Sequence, residues 1–248
     1  DAIQNAITPR TRGIIINTPN NPTGRIYPLE SLVGLGDLLE KASRSYDRRI
    51  LLFSDESYKR IIYDNRRFTS PAICYPASFI IYTYSKALLT PGERIGYIAL
   101  PPSMPNREQL RPALIAMQMT TGYAFPDALL QYALPEFEHL CISIPRLQRR
   151  RDLIFAALTE AGYQLHKPDG ALYLLVRSPI PDDQAFARLL AEEGVLVLPG
   201  SLVELPGYFR MSLTANDDMV ERALPIFASV KSSLPEPDDQ PQEVSLNT

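Results

Sequence analysis

Three short apolar runs, each ending in a polar loop, constrain this chain more than any other feature. They are Gly13-Ile14-Ile15-Ile16-Asn17, Ile50-Leu51-Leu52-Phe53-Ser54 and Phe79-Ile80-Ile81-Tyr82-Thr83. All are rich in β-branched or aromatic residues and lack the polar alternation of a half-solvated strand, so they read as strands buried on both faces. Ile95 to Leu100 reads as a fourth. Between the first two, Pro28 to Tyr46 places Leu29, Leu32, Val33, Leu35, Leu38 and Leu39 at helical spacing. Strands alternating with helices give an α/β class, with a mostly parallel sheet flanked by helices on both faces.

The texture changes after a long helix expected over Ile142 to Ala161. Short strands at Gln164-Leu165-His166, Ala171 to Val176, Val195 to Leu198 and Phe209 to Leu213 interleave with helices over Asp183 to Glu193 and Asp217 to Val230. The expected organisation is a large domain over residues 1–145, a smaller C-terminal α/β domain over 146–231, and a disordered tail over 232–248. Arg146, Arg149, Arg150 and Arg151 form a basic cluster on the long helix, and such a run reads as a solvated face.

Composition removes several function classes. A net charge of −3 gives no general attraction to nucleic acid or an anionic membrane. No apolar run is long enough to span a bilayer, and Asp1-Ala2-Ile3-Gln4 has no signal-peptide character. Two cysteines and two histidines make a disulfide framework, a metal site or a Ser-His-Asp triad poor starting points. Cys74 and Cys141 read as reduced thiols of a cytoplasmic protein.

Chemistry gathers in the loops after the strands, where α/β sheets build their sites. Asn17-Thr18-Pro19-Asn20-Asn21-Pro22-Thr23-Gly24 follows the first strand, and Ser54-Asp55-Glu56-Ser57-Tyr58 ends the second. Thr83-Tyr84-Ser85-Lys86 follows the third and leads through Pro91-Gly92 to Arg94-Ile95-Gly96. A lysine among small hydroxyl residues suits Schiff-base catalysis. The hydroxyls of Thr83 and Ser85, with the fixed charge of Arg94, suit a phosphate. Taken singly, Lys86 is a loop lysine, Asp55 a helix-capping acid and the asparagine segment a turn. Together they make a constellation.

In order and spacing, these motifs resemble the class I/II aminotransferases of the aspartate aminotransferase superfamily. The likeness extends from the first residues to about Val230 and includes a distal Arg210 in Tyr208-Phe209-Arg210-Met211-Ser212. The resemblance implies the fold-type I scaffold of pyridoxal phosphate (PLP) enzymes. It implies that Lys86 attaches PLP as a Schiff base and then shuttles a proton. Asp55 would pair with the pyridine nitrogen, Tyr58 and Asn21 would bind the ring's phenolic oxygen, and Thr83, Ser85 and Arg94 would hold the cofactor phosphate. Arg210, with Asn21 nearby, would grip the substrate α-carboxylate, and Gly170 would form a turn near the substrate.

The activity implied is amino-group transfer from an amino acid to a 2-oxo acid in a homodimeric enzyme. A carbon–sulfur β-lyase would use the same Lys86, Asp55 and Arg210, and a non-catalytic PLP-binding domain is a third reading. Three family features do not match any residue here: the phosphate-cradling small-residue loop, the ring-stacking aromatic and a substrate-recognition segment. An N-terminally incomplete chain would leave exposed sheet edges and apolar surface, and would bind PLP weakly or not at all. The stretch from Ser201 to Tyr208 is also short by family standards.

Overall fold

A computed structural model of the chain describes residues 2–123 and 125–235. These residues form two compact units. The first holds residues 2–148 together with Pro168–Leu172, and the second holds Arg149–Lys167 together with residues 173–235.

The first unit contains α1 (Ala2–Ala6), β1 (Gly13–Asn17), α2 (Leu29–Ser45), β2 (Leu51–Asp55), β3 (Ser78–Thr83), α3 (Tyr84–Ala87), β4 (Gly96–Ala99), α4 (Arg107–Thr121) and α5 (Ala128–Phe137). Helix α6 (Ile144–Glu160) carries the chain from the first unit into the second. The second unit adds β5 (Tyr173–Arg177), α7 (Asp183–Glu192), β6 (Leu198–Pro199), β7 (Tyr208–Ser212) and α8 (Asp217–Ser232).

The first sheet has the order β1-β2-β3-β4. The pairs β1/β2 and β2/β3 are parallel, and β3/β4 is antiparallel. The helical crossover through α2 allows β1 and β2 to run the same way, whereas the short link after β3 returns the chain antiparallel. Leu32, Leu35 and Leu39 lie on one stripe of α2 and are buried with Ile16, Leu52 and Phe79. Each fully buried leucine of this kind stabilises the fold by roughly 1.5–3 kcal/mol relative to exposure. Phe53 and Phe79 stack across the β2/β3 pair with centroids 5.0 Å apart.

The register aligns the strand ends. Asn17 lies opposite Asp55, and Thr83 opposite Gly96. The loops after β1, β2 and β3 therefore leave from one edge of the sheet.

In the second unit the sheet is antiparallel, with the order β5-β7-β6. Phe186, Phe209 and Phe227 are fully buried around it, with Tyr163 packed edge-on to Phe209 and Phe227. Asp182 caps α7 by accepting the Ala185 N–H, and Asn216 caps α8 by accepting that of Met219.

Several sequence expectations need correction. Strands β1 and β4 are not buried on both faces: Ile15 and Ile98 are exposed, on faces that no described element covers, and both strands lie at the edges of the described sheet. The strand expected at Gln164–His166 is a single bridge from Leu165 to Val176. The one expected at Val195–Leu198 is confined to Leu198–Pro199, with Leu196 facing solvent. Helices α4 and α5 were not anticipated. Neither fully buries a residue, and each contains a proline; only Leu110 and Leu114 of α4 and Leu130 and Leu134 of α5 pack, half-buried, against core clusters. Arg146 and Arg149 are exposed, but Arg150 and Arg151 are buried. Arg150 donates to the Leu213 carbonyl and pairs with Asp217, while Arg151 pairs with Asp152 at 2.7 Å. The expected tail lies outside the described residues from position 236, and its first residue, Ser232, closes α8.

Candidate active site

The residues singled out in the first unit lie at the shared edge formed by the ends of β1, β2 and β3. Each loop is tied to its neighbour. Asn17, the last residue of β1, donates through Nδ2 to the Asp55 carbonyl at 3.0 Å, and its Oδ1 accepts the Asn21 N–H at 2.7 Å. The buried Thr18 adds a backbone bond to the same Asp55 carbonyl at 3.2 Å. The asparagine loop is thus held against β2, with Asn21 on its exposed side. Gly24 completes the turn at φ 69°, and a Cβ there would meet Pro168 Cβ at 2.2 Å and the Gly170 carbonyl at 2.8 Å. Only glycine tolerates both that conformation and that approach. Gly170 itself packs on the Ile61 carbonyl and returns a bond to the Gly24 carbonyl at 2.9 Å.

Asp55 ends β2. Its Oδ1 accepts the Ser57 N–H at 3.0 Å and the Ser57 hydroxyl, while Oδ2 takes no hydrogen bond from the described residues. Tyr58 is buried in the same loop. Beneath this loop Glu56 is 1% exposed, and its carboxylate accepts bonds from Ser54, Ser70 and Lys59. The Lys59 ammonium also donates to Tyr97 Oη at 3.2 Å and lies 4.9 Å from the Tyr82 ring centroid. Burial pulls the Lys59 pKa down. The Tyr97 hydrogen bond and the Glu56 charge outweigh burial, so the net shift is upward.

Thr83 ends β3 and caps α3, accepting the Ser85 N–H. Its hydroxyl lies 2.8 Å from Ser85 Oγ and 3.1 Å from the Ile95 carbonyl, so its single proton serves one oxygen at a time. Ser85 is buried and Lys86 half-buried. Lys86 Nζ lies 5.8 Å from the Tyr58 ring centroid and makes no hydrogen bond or ion pair with the described residues. Arg94 is exposed, adopts φ 50°, and donates to the Pro91 carbonyl of its own turn at 3.0 Å.

Asn21, Asp55, Tyr58, Thr83, Ser85, Lys86 and Arg94 therefore all lie at or just beyond the ends of β1, β2 and β3, with Ser85 and Lys86 on the one-turn helix α3 rather than in a loop. Arg210 belongs to the second unit, on β7, with its guanidinium carbon 4.1 Å from the Tyr173 ring centroid.

A model of the family described as aminotransferase class I and II matches residues 1–227. The chain belongs to this family. It is 33% identical over 241 residues to the aspartate/prephenate aminotransferase of Thermus thermophilus, covering 93% of this chain and 59% of that protein. An aminotransferase from Eubacterium rectale superposes with a TM-score of 0.88 at 34% identity, covering 93% of this chain and 58% of that one. A Thermus thermophilus aspartate aminotransferase tetra mutant superposes with a TM-score of 0.78 at 32% identity, covering 92% and 62%. The chain thus has the fold-type I scaffold and spans about three fifths of the length of the relatives it matches.

Sequence reasoning missed the supporting residues. Asn17 and Ser57 lie inside the motifs but had no role assigned, and each orients a candidate ligand. Glu56 was passed over as a neighbour of Asp55. The available signal was an acid one residue past the end of a buried strand, where the alternation turns a side chain toward the core.

Proposed function

We propose that the protein carrying this chain transfers an amino group from an amino acid to a 2-oxo acid, with PLP attached at Lys86. The observation that carries this reading is the convergence of Lys86, Asp55, Tyr58 and Asn21 at one sheet edge, with the lysine amine beside the Tyr58 ring. The donor set fits the cofactor. Lys86 offers an amine with no hydrogen bond or ion pair to a described residue, Asp55 offers Oδ2, and Thr83 and Ser85 offer two hydroxyls 2.8 Å apart in the same chain segment as Arg94.

When bound, PLP supplies an electron-withdrawing ring that stabilises negative charge at the substrate Cα. Asp55, steadied by Ser57, would hold the proton on the pyridine nitrogen. Tyr58 and Asn21 would bind the ring's phenolic oxygen. Thr83, Ser85 and Arg94 would hold the phosphate, with the Arg94 guanidinium turning from the Pro91 carbonyl to the stronger anionic acceptor. Lys86, half-buried just beyond the end of β3, would act as the base that takes the proton from the substrate Cα. Arg210 grips the α-carboxylate with its planar fork.

The name of the Thermus relative puts aspartate first among the donors to test. Exposed apolar side chains on α4 and α5, among them Ile115, Met117, Leu129 and Tyr132, support a homodimer in which a second copy covers them. The free Cys74 and Cys141 suit a reducing compartment, the cytoplasm. Among the described residues no helix is long and apolar enough to cross a membrane.

The test uses the whole protein with PLP, aspartate and 2-oxoglutarate. Wild type shows visible PLP absorbance and oxo-acid-dependent turnover, and Lys86→Ala loses both. Unchanged transamination in Lys86→Ala removes the reading. Pyruvate and ammonia released from cystathionine without an oxo acid would assign a lyase instead.

A further inference from the structure

We propose that Tyr173 is a positioning residue, whose ring holds the Arg210 guanidinium in place for carboxylate capture. The inference rests on the reading of Arg210 as the residue that grips the substrate α-carboxylate.

The β5/β7 register pairs Leu175 with Arg210 and Tyr173 with Ser212. Tyr173 and Arg210 are therefore diagonal neighbours on one face of the sheet, within reach of an aromatic and a long side chain. The guanidinium carbon lies 4.1 Å from the Tyr173 ring centroid, well inside cation–π range. Leu174, Val176 and Phe209 occupy the opposite face and are fully buried. The face bearing Arg210 is thus turned away from the core of its own unit, and both Arg210 and Tyr173 are half-buried.

Freezing an arginine rotamer on binding costs affinity. A ring against the guanidinium restricts it before the ligand arrives. Stacking uses the π-face of the guanidinium, whereas carboxylate pairing uses its in-plane N–H edge, so the two are compatible.

The backbone beneath is anchored separately. Buried Asp183 accepts the Ser201 N–H at 3.1 Å, the Ser201 hydroxyl at 2.7 Å and the Gly207 N–H at 2.7 Å. One carboxylate thereby ties both ends of the turn that leads into β7. Asp183 fixes where the strand starts, and Tyr173 fixes where the arginine ends.

The experiment uses the whole protein with PLP and measures KM and kcat for aspartate and for 2-oxoglutarate. Tyr173→Leu is expected to raise both KM values by roughly 2- to 30-fold, the range of a single cation–π contact, with a smaller change in kcat. PLP absorbance is unchanged, which a general loss of structure would not permit. Tyr173→Phe restores the wild-type KM, and on an Arg210→Ala background Tyr173→Leu adds nothing. If Arg210→Ala raises KM but Tyr173→Leu does not, the inference fails and the reading of Arg210 stands. If Tyr173→Leu acts equally with and without Arg210, or Tyr173→Phe behaves like Tyr173→Leu, the stacking role also fails. If Arg210→Ala leaves KM unchanged, the reading of Arg210 itself is wrong.

Discussion

Glu56 and Lys59 form an unequal pair, and the inequality yields a sharp prediction. Their charged atoms lie 3.3 Å apart, with the Glu56 side chain 2% exposed and that of Lys59 26%. At an effective dielectric constant of about 20, a pair at that distance attracts by roughly 5 kcal/mol before desolvation is charged against it. Lys59→Met strands a carboxylate with almost no access to water and only the Ser54 and Ser70 hydroxyls for support. Glu56→Gln strands an ammonium that keeps the Tyr97 hydroxyl and can turn to solvent. After discounting for the exposure of Lys59, we expect Lys59→Met to cost about 2–4 kcal/mol and Glu56→Gln about 1–2 kcal/mol. Urea unfolding followed by circular dichroism and tyrosine fluorescence reads both, since the chain has no tryptophan. The pH dependence has a definite sign. The folded-state pKa of Lys59 is raised above its ordinary 10.5, so its contribution is complete below that pH and is lost as pH climbs through the raised value. The gap between wild type and Lys59→Met should therefore narrow as pH climbs above 10.5. A Lys59→Met cost below about 0.5 kcal/mol, or one smaller than that of Glu56→Gln, would refute the reasoning.

Two further outcomes bear on the fold. Phe209 is fully buried against Phe186 at 5.3 Å and Phe227 at 6.0 Å, so Phe209→Ala should destabilise the second unit by about 3–5 kcal/mol in a denaturant titration. Burial pushes the Cys141 thiol up more than the nearby Arg60 charge pulls it down. Alkylation by iodoacetamide near neutral pH should accordingly be slower at Cys141 than at a free thiol in solution, and mass-spectrometric time courses would show it.

Much of the first unit was legible in the sequence because parallel strands buried by a helical layer carry unbroken apolar runs. Those runs located β1, β2 and β3 to within a residue or so, and hence placed the loops carrying Asn21, Asp55 and Lys86 at strand ends. The leucine spacing of α2 was equally plain, since its buried stripe has helical period. Helices α4 and α5 were not legible, because no buried stripe marks them. The short strands of the second unit were shifted at their ends, as strands of two to five residues offer little periodicity to read.

The sequence by itself determined the order of β1, α2, β2 and β3, the family and the candidate residues for the chemistry, because each is written in local pattern and spacing. Tertiary structure alone decided which charges are buried. Arg150 finds Asp217 across 67 positions, and Glu56 finds Ser70 across 14, so neither partner is visible in the residues around it. It also decided that Pro168–Leu172 belongs with the first unit, where Gly170 meets Gly24. The same holds for the ring of Tyr173 against Arg210, which depends on strand register rather than on either residue's neighbours. Burial and pairing are properties of distance in space, and a linear pattern reports them only where the chain folds on itself with a regular period.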